Sequence, residues 1–210
     1  MASYDASETR LPPPPGTDAG QEDGRTVPAA LRSRLAADAA SAGLLDVAYT
    51  VIGSPVGRLI LAATPAGLVR VAFECEGEDR VLQELSNRIS PRILEAPGPL
   101  AAAAAQLQEY FDGARRSFDL DLDLRLTAGY RRTVVQALRG IGYGHTSTYA
   151  AVAALTGNPA AVRAVGTACG RNPLPLVIPC HRVLRSDGTT GGYLGGPAAK
   201  KILLDLEAAA

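Results

Sequence analysis

Cysteine is scarce. Cys75, Cys169 and Cys180 are an odd number with no CxxC spacing, which argues against a disulfide framework and against a thiolate zinc site. Histidine is scarcer still, with His145 and His181 alone. No run of eighteen uncharged apolar residues exists to cross a membrane, and the acidic N-terminal residues hold no apolar core of signal-peptide length. A soluble cytoplasmic protein in a reducing compartment, with no membrane partner, is therefore expected. Net charge is also missing, because 21 basic residues cancel 21 acidic ones. The cancellation hides an asymmetry: residues 1–126 sum to −6 and residues 127–210 to +6. A basic C-terminal part suits a polyanion such as nucleic acid, and a solvated basic face is the plainer alternative.

What is present is a 210-residue chain, 47% hydrophobic and 20% charged, ordinary for a globular protein of one or two small domains. Residues 1–26 are rich in Pro, Gly, Ser, Asp and Glu and read as a disordered tail. Residues 28–42 read as a short helix ending at Gly43, and 1–45 together as an N-terminal extension. From residue 46 two β-rich runs, 47–52 and 58–63, flank Gly53-Ser54-Pro55-Val56-Gly57, a hairpin signature, and 68–73 adds a third strand. Apolar spacing predicts helices over 79–89 and 100–111, covering the sheet. Residues 117–126 alternate Phe118, Leu120, Leu122, Leu124 and Leu126 against polar residues, which predicts a further strand with an acidic wet face.

After Thr127 the pattern turns helical. Residues 130–139 carry apolar positions at 130, 134, 135 and 138. Thr148 caps a helix over 149–155 with Val152 and Leu155 inward, and a second helix runs 160–169 with Pro159 near its first turn. Two short helices joined by Thr156-Gly157-Asn158-Pro159 resemble a helix-turn-helix, and the small Ala160, Ala161, Ala164, Gly166 and Ala168 would let the second approach a surface closely. Residues 185–196 form a Gly-rich loop, and Pro197 opens a last helix over 198–208.

Between these helices lies the chemistry-bearing stretch, Asn172-Pro173-Leu174-Pro175-Leu176-Val177-Ile178-Pro179-Cys180-His181-Arg182-Val183. Three prolines fix φ and remove three donors, so a rigid non-helical connector is expected. Cys180 stands beside an imidazole and a guanidinium, whose charge is expected to lower its pKa toward neutrality and make it a nucleophile. A buried, inert cysteine is the competing reading.

Ile178-Pro179-Cys180-His181-Arg182-Val183, with Arg163-Ala164-Val165-Gly166 and Asn172-Pro173 upstream and Tyr193, Gly195-Gly196 and Glu207 downstream, resembles the O6-alkylguanine-DNA alkyltransferases over residues 46–207. The resemblance implies an α/β fold: an N-terminal ribonuclease H-like roll with a three-stranded antiparallel sheet (46–126) and a C-terminal helical domain with a helix-turn-helix (127–210). It implies direct repair of DNA, in which Cys180 takes the alkyl group from O6 of guanine, or from O4 of thymine, once and irreversibly. His181 would act on Cys180 through a water, Glu207 would hold the imidazole, Asn172 would tie the turn, and Tyr149 would protonate the leaving guanine. Arg163 would fill the space of the flipped base, with Ala161, Ala164 and Gly166 against the minor groove. The backbone of Val183 and Leu194 and the ring of Tyr193 would form the alkylguanine pocket.

The implied partner is double-stranded DNA containing O6-alkylguanine, met by a monomer. No cofactor is implied. Some relatives carry a zinc site built on Cys and His, and with two histidines none is expected here. The chain departs from the family in lacking Trp, in Val134-Val135 and Gly142-Tyr143-Gly144, in bulkier Val162 and Thr167 on the recognition helix, and in Leu194 at a position often small. A cysteine hydrolase, a non-catalytic binder of alkylated DNA and a regulatory paralogue are the alternatives.

Overall fold

The computed structural model describes residues 28–209. The tail expected over 1–26 lies outside them.

Helix α1 (Ala29–Ser41) forms where its Ala-rich sequence favours helix, and it stops before Gly43, at φ 66°. Strands β1 (Val47–Ile52), β2 (Leu59–Thr64) and β3 (Gly67–Phe73) make the expected antiparallel meander, with Thr50 opposite Leu61 and Leu61 opposite Val71. The first turn closes because Gly57 adopts φ 95° and the Ser54 hydroxyl accepts the Val56 N–H at 3.2 Å. A fourth strand, β4 (Ile93–Glu95), joins parallel to β1, so the sheet order is β3-β2-β1-β4. A parallel neighbour requires a crossover, and helix α2 (Glu78–Arg88) supplies it.

Period-two alternation sends side chains to two faces. Ile60, Ala62, Val69 and Ala72 meet Val81 and Leu85 of α2 on one side. On the other side Leu59, Leu61, Val71 and Phe73 meet Leu107, Tyr110 and Phe111 of helix α3 (Ala101–Phe111). This second core continues without a break beneath the C-terminal helices α4 (Gly129–Leu138), α5 (Tyr149–Leu155), α6 (Val162–Cys169) and α7 (Gly196–Ala208). A two-stranded parallel ribbon, β5 (Ser147–Thr148) with β6 (Val183–Leu184), ties the start of α5 to the chain just after Cys180.

Residues 117–126 are not a strand. They pair with the sheet at one point, where Leu68 donates to the Asp121 carbonyl at 2.8 Å and accepts from Asp123 at 2.9 Å. The chain then tightens into a 3-10 turn over Leu124–Leu126, capped by Asp123. Farther along β3 the edge is taken, since the Val71 N–H donates to the Pro173 carbonyl at 2.8 Å. Alternation therefore reports a half-buried extended segment whose ladder has no remaining partners.

Two helix expectations also change. The Thr148 cap is present, accepting the Ala151 N–H at 3.1 Å, but Leu155 is 71% exposed and Ala153 is the buried companion of Val152. Helix α6 begins at Val162, because Asn158 to Ala161 closes a turn of its own, with Ala161 donating to the Asn158 carbonyl at 2.9 Å. Ala160 and Ala161 thus precede the helix. Among the described residues no helix is long and apolar enough to cross a membrane.

Gly67 has φ 128°, and a Cβ there would fall 2.3 Å from the Asp121 carbonyl oxygen. Gly67→Ala combines strain with a clash against backbone, so a loss of about 2 kcal/mol or more is expected. The urea unfolding midpoint checks this, and an unchanged midpoint would mean the crossing of 121 over 67 does not constrain the fold.

Candidate active site

The non-helical connector is buried from Asn172 to Val183 without interruption. Leu176 within it takes φ 72°, a left-handed conformation costing an L-residue roughly 1 kcal/mol or more, and its side chain is 1% exposed. Burial of so much irregular backbone demands internal hydrogen-bond partners. Asn172 supplies several: its amide donates to the Ile178 carbonyl at 2.8 Å and to Cys180 Sγ at 3.2 Å, while its Oδ1 accepts the Leu174 N–H at 3.1 Å. Pro179 ends the connector, and Cys180, His181 and Arg182 form the single 3-10 turn that follows.

His181 is fully buried. Its Nε2 lies 2.9 Å from Glu207 Oε1, and Glu207 enters from the last turn of α7. Three more groups converge on that carboxylate. Arg182 donates to both oxygens at 2.8 Å, the Tyr110 hydroxyl of α3 donates at 2.7 Å, and the Gly144 N–H at 3.3 Å. Burial would raise the pKa of Glu207, but hydrogen bonds from His181, Arg182 and Tyr110 outweigh it and hold the acid at about 2. An ionised Glu207 can only accept, so Nε2 carries the ring proton and Nδ1 presents a lone pair. Burial keeps the ring neutral by pushing its pKa down, against the opposing pull of Glu207. Nδ1 is buried with no hydrogen-bond partner among the described residues, as is the Tyr193 hydroxyl, and the two rings stand 6.3 Å apart.

The cysteine differs from expectation. Cys180 is 2% exposed, and burial pushes its thiol up to about 11, against the downward pull of the Asn172 amide and of Lys200. Adjacent charge does not lower it toward neutrality, because the Arg182 guanidinium is turned away onto Glu207 and the imidazole is neutral. The resting thiol is protonated, and the imidazole that follows it in the chain is neutral. Cys169, also buried, is raised to about 12 by burial first and by the neighbouring Cys180 charge second.

Around Tyr149 and Tyr193 lies a cavity of about 470 Å³, lined also by Gly166, Gly170, Arg185, Gly191, Gly192 and Leu194; buried Cys180 is not part of its lining. That volume is within the range of small-ligand sites. Burial raises the pKa of the Tyr149 phenol first and the nearby cysteines second, so it is a proton donor at neutral pH. Tyr193 is braced by Phe73, edge to face at 5.4 Å. Gly191, at φ 52°, is required because a Cβ there would sit 2.8 Å from the Tyr149 oxygen.

The structure thus makes two hydrogen-bonded pairs, Asn172 with Cys180 and His181 with Glu207, joined through the consecutive residues of the cysteine turn, and sets Tyr149, Gly166, Tyr193 and Leu194 around one cavity. Val183 is absent from that lining, and its carbonyl accepts from Lys200 Nζ at 2.7 Å. Arg163 and Ala164 stand on the exposed outer face of α6, while Ala161 is half-buried just before it. Sequence reasoning missed Lys200, Tyr110 and Gly191. Lys200, Leu203 and Glu207 share one face of α7 by helical spacing, so the first was legible; nothing local marks Tyr110. Among the described residues no group of three or more His, Cys, Asp or Glu could hold a metal ion.

Comparison with known proteins gives a consistent result. Residues 47–124 match the model of the 6-O-methylguanine DNA methyltransferase ribonuclease-like domain, and residues 129–209 match that of the 6-O-methylguanine DNA methyltransferase DNA binding domain. The methylated-DNA–protein-cysteine methyltransferase of Methanosarcina barkeri is 41% identical over 159 residues, covering 76% of this chain and 96% of its own. The constitutive enzyme of that name from Bacillus subtilis is 38% identical, covering 76% and 94%. In structure, Mycobacterium tuberculosis OGT in complex with DNA superposes with a TM-score of 0.69 at 36% identity, covering 77% of this chain and 93% of its own.

The buried titrating groups set a pH profile. Above pH 9.0 the unfolded chain loses thiol protons that folded Cys180 and Cys169 keep until about 11 and 12, so stability falls as pH rises. The slope is about 1.4 kcal/mol per pH unit for each thiol. On the acid side, His181 is depressed below 6.5, so the unfolded chain takes its proton first and stability falls again below that value. Urea midpoints against pH should show the alkaline decline shallower in Cys180→Ser; identical slopes would contradict the burial of an intact thiol.

Proposed function

The chain belongs to the 6-O-methylguanine DNA methyltransferase family, and from that premise we propose how its own residues carry out alkyl transfer from DNA to protein. The observation that carries the reading is the 2.9 Å hydrogen bond between His181 and an ionised Glu207, which leaves Nδ1 of the residue following Cys180 as a base with no partner among the described residues.

Cys180 Sγ attacks the O6-alkyl carbon of guanine. The S–C bond forms as the C–O6 bond breaks, and the alkyl group remains as a thioether. The thiol proton passes through a water to His181 Nδ1, and the imidazolium so formed is stabilised by the Glu207 carboxylate. Because the resting thiol is raised to about 11, deprotonation belongs to the reaction itself. Tyr149, lining the cavity as a protonated phenol, donates to the guanine ring and neutralises the charge that develops as the bond breaks. A thioether is a poor leaving group, so each chain acts once.

The target base is swung out of the duplex into the cavity between Tyr149 and Tyr193, at a cost of about a few kcal/mol in unstacking. Arg163 on the exposed face of α6 takes the vacated place, with Ala161, Ala164 and Gly166 allowing close approach to the minor groove. The backbone of Leu194 contributes to the pocket, whereas Val183, outside the lining, anchors Lys200. The domain division is 46–126 and 127–210, preceded by the extension 1–45. The protein acts as a monomer on duplex DNA in the cytoplasm, where its three free cysteines stay reduced.

Incubation with duplex DNA carrying O6-methylguanine should add one methyl mass to the intact protein, on the peptide holding Cys180. The adduct should vanish in Cys180→Ser. Repeated turnover would instead indicate a hydrolase, and binding without an adduct a non-catalytic binder. Arg163→Ala is expected to slow repair of duplex DNA by roughly tenfold or more, the factor that about 1.4 kcal/mol of lost stabilisation represents. Reaction with free O6-benzylguanine should be nearly unchanged; equal slowing of both would remove Arg163 from base extrusion.

A further inference from the structure

A second polar cavity, about 420 Å³, lies between α2 and the chain leading out of α6. Five arginines line it against two glutamates, a surplus of three positive charges. Arg70 is satisfied: it pairs with Glu76 and donates to the Val71 carbonyl at 2.7 Å. Arg88 is satisfied too, by Glu84 at 2.9 Å and by the Leu126 carbonyl at 3.0 Å. The remaining three have no acid. Arg131 gives one Nη to the Leu126 carbonyl at 2.8 Å, while its Nε is buried with no partner among the described residues. Arg80 and Arg171 are exposed, and their guanidiniums make no ion pair or hydrogen bond among the described residues.

Three uncompensated guanidiniums facing one cavity repel each other, and a buried unsatisfied N–H is rare in a folded protein. Both features are relieved by one kind of occupant. Guanidinium forks match the oxygen spacing of a tetrahedral oxyanion, and an anion would give the Arg131 Nε its missing acceptor.

The location adds a functional connection. Gly170 and Leu194 line both this cavity and the one holding Tyr149 and Tyr193. Arg131 and Arg171 also border a shallow cavity against Ala164 and Thr167 on the exposed face of α6. Asn172, whose amide bonds Cys180 Sγ, is part of its wall.

We propose that the Arg80–Arg131–Arg171 cavity is a phosphate-binding site, seating either a backbone phosphodiester of bound DNA or a free phosphate-class anion. The free-anion case does not depend on the repair reading; the backbone case rests on it.

The full chain is tested with inorganic phosphate, followed by thermal shift against chloride at matched ionic strength. Phosphate should raise Tm beyond the chloride control, and the double variant Arg80→Gln/Arg171→Gln, altered at two exposed positions, should lose that increment. Arg131→Lys keeps the charge but deletes the buried Nε, and should weaken the response while circular dichroism stays native. In parallel, the salt dependence of binding to unmodified duplex DNA is measured. A log–log slope about one unit shallower in the double variant assigns the site to a backbone phosphate, since each such contact contributes about 0.9. An unchanged slope with a lost phosphate response assigns it to a free anion. No wild-type response to phosphate together with an unchanged slope overturns the proposal, as does a double variant that keeps the response. Alkyl transfer from free O6-benzylguanine, run alongside, reports on the repair reading separately, since neither exposed arginine borders Cys180.

Discussion

One carboxylate holds this molecule together at its working end. Glu207 is buried and ionised, which is tolerable only if its oxygens are fully satisfied, and they accept from His181, Arg182, Tyr110 and Gly144. Those donors come from three places in the chain: the cysteine turn, which supplies two of them, the helix packed on the N-terminal sheet, and the loop before β5. The interaction that sets the imidazole tautomer therefore also fastens the N-terminal part to the C-terminal part. Breaking such a buried pair from one side costs roughly 3–5 kcal/mol, because the remaining charge has nowhere to go.

The second constraint is the buried connector. Proline keeps residues 173–179 out of a helix, so their polar backbone must find partners elsewhere. Asn172 provides some of them, the connector's own turns others, and the edge of β3 donates the Val71 N–H to the Pro173 carbonyl. The sheet thereby braces the loop that carries the nucleophile. A rigid, dry seat has an electrostatic consequence: the thiol is raised instead of lowered. Reactivity then requires a neutral base, and Nδ1 of His181 has no partner among the described residues. A protein whose cysteine is consumed by its first reaction gains from this arrangement, since a thiol held protonated and buried is shielded from casual oxidation.

Much of this was legible along the chain. Alternation marked β1 to β3, helical spacing marked α2, α3 and α4, and a threonine cap placed the start of α5 correctly. The Cys180-His181 pair was legible from adjacency alone, whereas Glu207 entered only through the family resemblance, and the structure brings it to His181 at 2.9 Å. The failures share a cause. Alternation over 117–126 records which side chains are buried, yet a strand also needs free edge groups, and Pro173 occupies that edge. Leu155 looked inward by spacing, but it is exposed and Ala153 shares the buried face with Val152. The thiol pKa was misjudged because adjacency in sequence does not say where a guanidinium points.

Sequence alone determined the chemistry available: one cysteine beside one imidazole, a carboxylate at helical spacing from Lys200 on α7, and prolines that deny the connector a helix. These are properties of residue types and local periodicity, and they persist in any environment. The tertiary structure decided how those groups behave, turning Arg182 toward Glu207, bringing Tyr110 across from α3, burying Cys180, and gathering arginines from α2, α4 and the end of α6 around one cavity. Charge, burial and hydrogen bonding act through space over a few ångströms, and no reading along the chain supplies that distance.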